Sequence, residues 1–472
     1  MALEKTILWY DLETYGLSPR VDRIAQVAMI RTDLSLEIVS DPILLYGRLS
    51  PDYLPSPESC LVTGLTPLDI NEKKESLSEY DLIKRVNDEF LVPGTIGVGY
   101  NNIGFDDECI RSTLYRNLFD PYERENFKMR SRWDIINLVR ATRDLRPEGM
   151  VFEKKNPDTG FVSFRLTDLT EENNIEQEGA HDALVDVIAT INVARMIKEK
   201  QPKLYAWAFN NRTKVDVWRL LDVERHTPML HTSALYASEN GNTHPVIPLW
   251  RNKEKSNDIW CFDLTKEIPE SLEGMENLRD AGFVRVQSNK CPFIAPMNVL
   301  NKKVEERIGF TKAGMEEKAR MIVKDHRYLF DLSPLFQSNE FVDEESDPDY
   351  TIYGKFLSKN DRDRLDKIRA LPPERKLKDG DYNFDDPKYY KLLWRLVGRN
   401  WPEVFDEEER RKWKNFCASR LINPPSKHQK TLELYMRECS EIIDSLERDA
   451  RDKLIAKKLM DYGHLLEKEI LS

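Results

Sequence analysis

The stretch Thr6-Ile7-Leu8-Trp9-Tyr10-Asp11-Leu12-Glu13 decides the fold. Four apolar or aromatic residues in succession, Ile7 to Tyr10, read as a mostly buried strand that ends in acids. On a strand, residues i and i+2 share a face, so the carboxylates of Asp11 and Glu13 leave the sheet together. Two such groups repel each other unless a cation lies between them, and hard oxygen donors suit Mg²⁺ or Mn²⁺. Two acids on a strand end are also common as plain surface charge. The pair alone fixes no function.

Working outward, residues 24–31 and 36–45 read as further strands, an antiparallel start to a sheet. An amphipathic helix is expected over 79–90, a short buried strand over 95–100, and helices over 105–118, 132–142 and 181–199. Strands first and helices afterwards within about 200 residues indicate an α/β domain over 1–200. From 201 to 350 short β-like pieces alternate with turn residues, and helical stretches fall near 210–221 and 311–326. This is a small, partly barrel-like β domain with helical insertions. The acidic, proline-bearing run Val342–Asp349 reads as a linker. Beyond it, 358–370, 387–399, 403–420 and 427–469 carry apolar residues at helical spacing, which makes 351–472 an α-helical domain.

With 472 residues, 40% hydrophobic and 32% charged, the chain is long enough for two to four domains and is globular in composition. It has no apolar run of bilayer length, and its first residues lack the pattern of a signal peptide, so a cytoplasmic, membrane-free protein is expected. Six scattered cysteines without a CxxC pair argue against a zinc ribbon or a disulfide framework and for reduced, buried thiols. The net charge of −11 is uneven. Residues 1–200 carry 24 Lys and Arg against 35 Asp and Glu, whereas 351–472 carry 27 against 23. An acidic first part suits a carboxylate-built metal site; a basic last part suits either a phosphate backbone or solvated helix surface. A monomer is expected, since no heptad seam demands a partner.

Two further motifs stand behind the first. In Tyr100-Asn101-Asn102-Ile103-Gly104-Phe105-Asp106 the buried strand leads through a polar turn to Asp106 at a helix start. There it serves either as a cap stabilised by the helix dipole or as a third metal ligand. In His181-Asp182-Ala183-Leu184-Val185-Asp186, Asp182 reads as an N-cap, which puts Asp186 about one turn into the helix and leaves His181 in the preceding loop.

The order and spacing of these motifs resemble the four-acid (DEDD) exonuclease superfamily, in the subclass whose third motif carries histidine. YDLETYG, LVTGLTP (61–67), GYNNIGFDDE, SRWD (131–134), LRPEGM (145–150), SFRLTDLT (163–170), AHDALVDV and NKCP (289–292) are similar to bacterial exodeoxyribonuclease I. The resemblance implies a ribonuclease-H-like exonuclease domain, an SH3-like β domain and the helical C-terminal domain. It implies a 3′→5′ exonuclease that degrades single-stranded DNA to nucleoside 5′-monophosphates in DNA repair and recombination.

It also implies roles. Asp11 would bridge two Mg²⁺ ions (Mn²⁺ substituting), Glu13 and Asp186 would complete one site, Asp106 would hold the other, and His181 would act as general base. Leu65 would cover the terminal nucleotide and Arg165 would contact phosphate. Arg111, Tyr122, Arg140, Lys214 and Asn289 would extend the track, in the manner of basic and aromatic residues lining a single-strand groove. Arg146 and Trp207 would receive the acidic C-terminal tail of single-strand-DNA-binding protein, although Pro296 replaces a polar residue nearby. The nearest alternative is the same fold acting on RNA; a non-catalytic DNA-binding scaffold is an alternative of another class. A chain bridging the active site would make the enzyme processive, and deleting 355–472 would then make it distributive.

Overall fold

The computed structural model describes residues 5–176, 182–252, 257–272, 277–332, 347–355, 357–378 and 382–471. β1 (Thr6–Thr14) is the central strand of a six-stranded sheet. Its companions are β2 (Ile24–Thr32), β3 (Ile43–Gly47), β4 (Ser76–Leu77), β5 (Thr95–Gly99) and β6 (Ser131–Asp134), in the order β4-β3-β2-β1-β5-β6. β1, β2 and β3 pair antiparallel, while β5 runs parallel to β1 and β6 parallel to β5.

The alternation along β1 sorts its side chains. Leu8, Tyr10 and Leu12 pack under the helices Glu79–Leu91 and Asp106–Arg116, with Ile83, Phe90 and Ile110. Ile7 and Trp9 face the helices Ile136–Leu145 and Ala183–Lys200. Asp11 and Glu13 continue the second series, so the pleat aims both acids at the start of Ala183–Lys200.

Two expectations for this part need correction. Residues 36–45 do not form one strand. Asp33 accepts the Glu37 N–H (2.9 Å) and Leu36 adopts φ 77°, so the chain turns before β3 begins at Ile43. The helix expected over 132–142 starts only at Ile136, because Ser131–Asp134 is the edge strand β6. Asp134 ends that strand by accepting the Ile136 N–H at 3.0 Å.

A second, five-stranded antiparallel sheet holds β7 (Met229–Thr232), β8 (Thr243–Arg251), β9 (Asp258–Asp263), β10 (Phe283–Gln287) and β11 (Phe293–Pro296), in the order β10-β9-β8-β7-β11. The stretch 210–221 is broken at Thr213, which caps the helix Lys214–Leu220 through a reciprocal box with Asp216. The helical domain holds Lys359–Ala370, Lys388–Asn400, Glu407–Ile422, Leu432–Asp444 and Ala450–Leu466. The stretch expected over 427–469 is therefore two helices, capped anew by Thr431 and Asp449. Similarly, 403–420 opens on a 3₁₀ turn, Pro402–Val404, and its α-helix starts only after the cap Asp406.

Of the expected linker, residues 342–346 lie outside the described residues. Its end is anchored: Asp347 and Asp349 sit among Arg395, Arg399 and Arg420. The helical domain is packed into the first domain. Tyr15, Tyr53, Cys60 and Leu61 share one core with Tyr435, Ile455, Leu459 and Tyr462. All six cysteines are free and buried, which fits burial in packed cores. Among the described residues no helix is long and apolar enough to cross a membrane.

Candidate active site

Carboxylate oxygens of Asp11, Glu13 and Asp186 all lie within 4.8 Å of one another. β1 supplies the first two. Asp186 comes from the first turn of Ala183–Lys200, whose N-cap Asp182 accepts the Leu184 N–H at 3.0 Å. Gln26, paired with Glu13 across β1 and β2, accepts the Ala183 N–H at 3.1 Å. One buried amide thus sets the helix start against the strand that carries two of the acids. Asp106, 7% exposed, opens Asp106–Arg116 and accepts the Leu12 N–H at 3.2 Å, which ties it to the backbone between Asp11 and Glu13.

Burial raises the carboxyl of Asp11 well above its usual range, and Asp106, Asp186 and Glu13 add to it by like-charge repulsion. Burial and Asp186 push Glu13 up to about 8, and burial also pushes Asp106 up to about 8. Three acids held this far toward their protonated forms, with Asp186 beside them, are short of positive charge, and oxygen-rich sites of this kind accept hard divalent cations.

The acids lie in a cleft of about 730 Å³. Arg140 and Arg165 share its lining. Arg140 stands over Phe164, 5.6 Å from the ring centre, and donates to Asn137 Oδ1 at 2.8 Å, while its Nε is buried without a hydrogen-bond partner. Among the described residues no carboxylate pairs with Arg140. Arg165 is exposed and reaches Asp158 at 3.5 Å. His181 lies outside the described residues.

The other sequence candidates are not in the cleft lining. Leu65 follows Gly64, whose φ of 74° ends the helix Pro57–Thr63, and it packs on the core that holds Tyr15. Arg111 is buried and committed to Glu125 (2.6 Å) and Glu108, with its guanidinium 5.5 Å from the Tyr122 ring. Lys214 lies over Trp218 at 4.5 Å. The Asn289 carbonyl accepts Arg132 Nη2 at 3.0 Å, and its Oδ1 is buried without a partner. Arg146 donates to the Val299 carbonyl at 2.8 Å, and Trp207 Nε1 donates to the Ile294 carbonyl at 2.8 Å.

Three supporting acids escape a motif reading. Asp134 accepts the N–H groups of Asn101 (2.9 Å) and Ile103 (3.3 Å), which fixes the turn before Asp106. Asp107 is wholly buried; burial opposes its ionisation, yet Arg124 and Arg132 hold it well below the usual carboxylate range. It accepts the Tyr10 hydroxyl at 2.5 Å, beside Asp11. Asp144 ties this domain to the second sheet. Asp134 stands in the quoted SRWD segment and Asp107 directly follows Asp106, so position was the available signal. Their partners are remote in sequence.

A sheet with a carboxylate cluster at its central strand, in a cleft lined by Arg140 and Arg165, is the arrangement of an exonuclease, and an exonuclease family model matches residues 8–194. The models of the exonuclease I SH3-like domain and the exonuclease I C-terminal domain match 212–338 and 346–466. The chain belongs to the exodeoxyribonuclease I family. It is 37% identical over 435 residues to exodeoxyribonuclease I of Haemophilus influenzae, covering 87% of this chain and 90% of the relative. The structure of Escherichia coli exonuclease I in complex with a dA16 oligonucleotide superposes with a TM-score of 0.90 at 31% identity, over 98% of this chain and 100% of the other. An exonuclease I/SSB-Ct complex matches with a TM-score of 0.87 at 30% identity, over 98% and 99%. The chain is accordingly an exodeoxyribonuclease.

Proposed function

We propose that this enzyme removes nucleoside 5′-monophosphates from the 3′ end of single-stranded DNA, with two divalent ions, Mg²⁺ first among them. The observation that carries the reading is the cluster of Asp11, Glu13 and Asp186 within 4.8 Å, with Asp106 held behind it on the Leu12 amide. Asp11 would be shared by the two ions, Glu13 and Asp186 would complete the holding of one, and Asp106 would help hold the other. When bound, the pair of ions supplies an activated water and stabilises the leaving oxygen of an in-line displacement. His181, next to the cap Asp182 in the chain, takes the proton of the attacking water as general base.

Arg140 and Arg165 hold the phosphates of the strand. The burial of Arg140 Nε without a partner favours it, since an unpaired buried donor costs free energy that a phosphate oxygen would recover. Tyr122 stacks with a base while Arg111 supports its ring, and Lys214 and Asn289 extend the track from the second domain. Leu65 covers the terminal nucleotide. Single-stranded DNA as substrate is supported by the oligonucleotide bound to the Escherichia coli relative.

The SSB-Ct complex of a relative supports SSB as a partner, and the reading places its acidic tail at Arg146 and Trp207. Among the described residues no carboxylate pairs with Arg146. The biological setting proposed is DNA repair and recombination, in the cytoplasm, as a monomer with domains 1–200, 201–350 and 351–472. The test is a panel of 5′-labelled single-stranded DNA, duplex DNA and RNA with Mg²⁺ or EDTA. Mg²⁺-dependent shortening of single-stranded DNA from its 3′ end is expected. Shortening that persists in EDTA, or that acts on RNA alone, would sink the reading.

A further inference from the structure

One wall of the catalytic cleft does not belong to the nuclease domain. Ala234, Ala237 and Asn242, between β7 and β8, line the same cavity as Asp11, Glu13 and Arg140. The segment that carries them is held at its far end by one wholly buried side chain, Asp144, at 0% exposure near the end of Ile136–Leu145. Asp144 Oδ2 accepts the Asn242 N–H at 2.8 Å and the Thr243 hydroxyl at 2.7 Å. Its Oδ1 accepts Arg143 Nη1 at 3.0 Å, and Arg143 Nη2 donates to the Glu239 carbonyl at 3.1 Å.

Gly241 makes this approach possible. Its φ is 124°, and a Cβ there would lie 2.2 Å from Asp144 Oδ1, so only glycine lets the carboxylate reach the backbone of the next residue. The catalytic carboxylates do not need this connection, because all four stand on the first sheet and its helices. A buried carboxylate that bonds a loop amide and hydroxyl across a domain boundary fixes that loop firmly, since losing the contact strands buried polar groups.

We infer that Asp144 is a positioning residue that sets the second-domain wall of the cleft, and through that wall limits entry to a single strand. The inference rests on the exonuclease activity proposed above. On this inference a single strand passes between the wall and the Arg140–Arg165 side, and a duplex would bring a second backbone against the wall. With the bonds to Asp144 removed, the 234–242 segment gives way, the single strand is held less well and the obstruction to a duplex weakens.

The experiment compares the full-length enzyme with Asp144→Asn, Thr243→Val and Gly241→Ala. Three substrates are read with Mg²⁺: thymidine 5′-p-nitrophenyl phosphate, which reports the carboxylates alone, a single-stranded oligonucleotide, and the blunt duplex of the same sequence. The variants should keep the ester rate within about twofold of the wild type. KM for the single strand should rise by about fivefold to tenfold, the worth of one lost hydrogen bond, with kcat little changed. The ratio of duplex to single-strand kcat/KM should rise by a similar factor. An unchanged ratio in variants that hydrolyse the ester normally overturns the inference. Thr243→Val removes a single hydroxyl, so it remains readable if Asp144→Asn or Gly241→Ala fails to fold. A wild type inactive on the oligonucleotide would instead refute the exonuclease reading itself.

Discussion

Arg399 and Asp52 stand 347 residues apart in the chain, and Arg399 Nη2 lies 2.8 Å from the Asp52 carboxylate. The same guanidinium reaches Asp349 at 2.5 Å. Both ends are buried, with side-chain exposures of 2% and 1% for Arg399 and Asp52. This ion pair joins the helical domain to the nuclease domain in a place water does not reach. Breaking one half of such a pair leaves an uncompensated buried charge, so Arg399→Met should cost about 3–5 kcal/mol. Denaturant unfolding measures this; a cost under about 1 kcal/mol would mean that the site relaxes or hydrates freely.

The same cluster gives the protein an acid limit. Burial works against the charged forms of Asp52 and Asp349, but Arg399 foremost holds both below the usual carboxylate range. Because the folded pKa values are depressed, their contribution is complete above the unfolded value of about 3.9 and is lost as pH falls from there toward the folded values. Stability should therefore drop steeply below about pH 4. In Arg399→Met the drop should be shallower. Parallel Tm-against-pH curves for the two proteins would rule out this pair as the source.

Asp11→Asn and Asp186→Asn should each abolish most Mg²⁺-dependent cleavage, by about a thousandfold or more, given the several kcal/mol that metal charge supplies in a transition state. A second readout separates binding from catalysis. Mg²⁺ should raise the Tm of the wild type, because the ion binds the folded carboxylate cluster. The rise should be much smaller in Asp11→Asn. Equal Tm shifts in both proteins would place the cation elsewhere.

His181→Ala should lower the rate by about 10²–10⁴, as expected for loss of a general base, while leaving the Mg²⁺-induced Tm shift intact. The wild-type rate should fall on the acid side as the imidazole is protonated. That limb should vanish in the variant. A variant with wild-type rate would show that His181 is not the base.

Arg140→Ala should raise KM for single-stranded DNA more than it lowers kcat. Its signature is a salt dependence of binding shallower by about one phosphate contact. An unchanged slope would mean that Arg140 supports Phe164 and touches no phosphate.

Truncation now carries a different expectation from the one the sequence suggests. Leu432–Asp444 and Ala450–Leu466 bury Tyr15, Tyr53, Cys60 and Leu61 of the nuclease domain. Removing 355–472 exposes this shared core and strips Asp52 of Arg399. The shortened chain should be recovered aggregated or binding a hydrophobic dye, rather than as a distributive enzyme. A soluble, cooperatively unfolding fragment would restore truncation as a test of processivity.

By itself the sequence determined the strand that carries Asp11 and Glu13, the helix starts at Asp106 and Asp182, and the helical character of the last domain. These are local matters, set by side-chain alternation, caps and apolar spacing within a few residues. It missed the edge strand Ser131–Asp134, whose pairing with β5 is a contact between segments more than thirty residues apart. Tertiary structure alone decided that Asp186 meets the pair within 4.8 Å and that Arg111 is spent on Glu125 and Glu108. It alone decided that Asp52 pairs with Arg399 of the helical domain and that Asp144 holds Asn242 and Thr243 beside the cleft. Distances of that kind depend on how separate elements pack, and no short pattern of residues encodes which distant partner a buried charge will find.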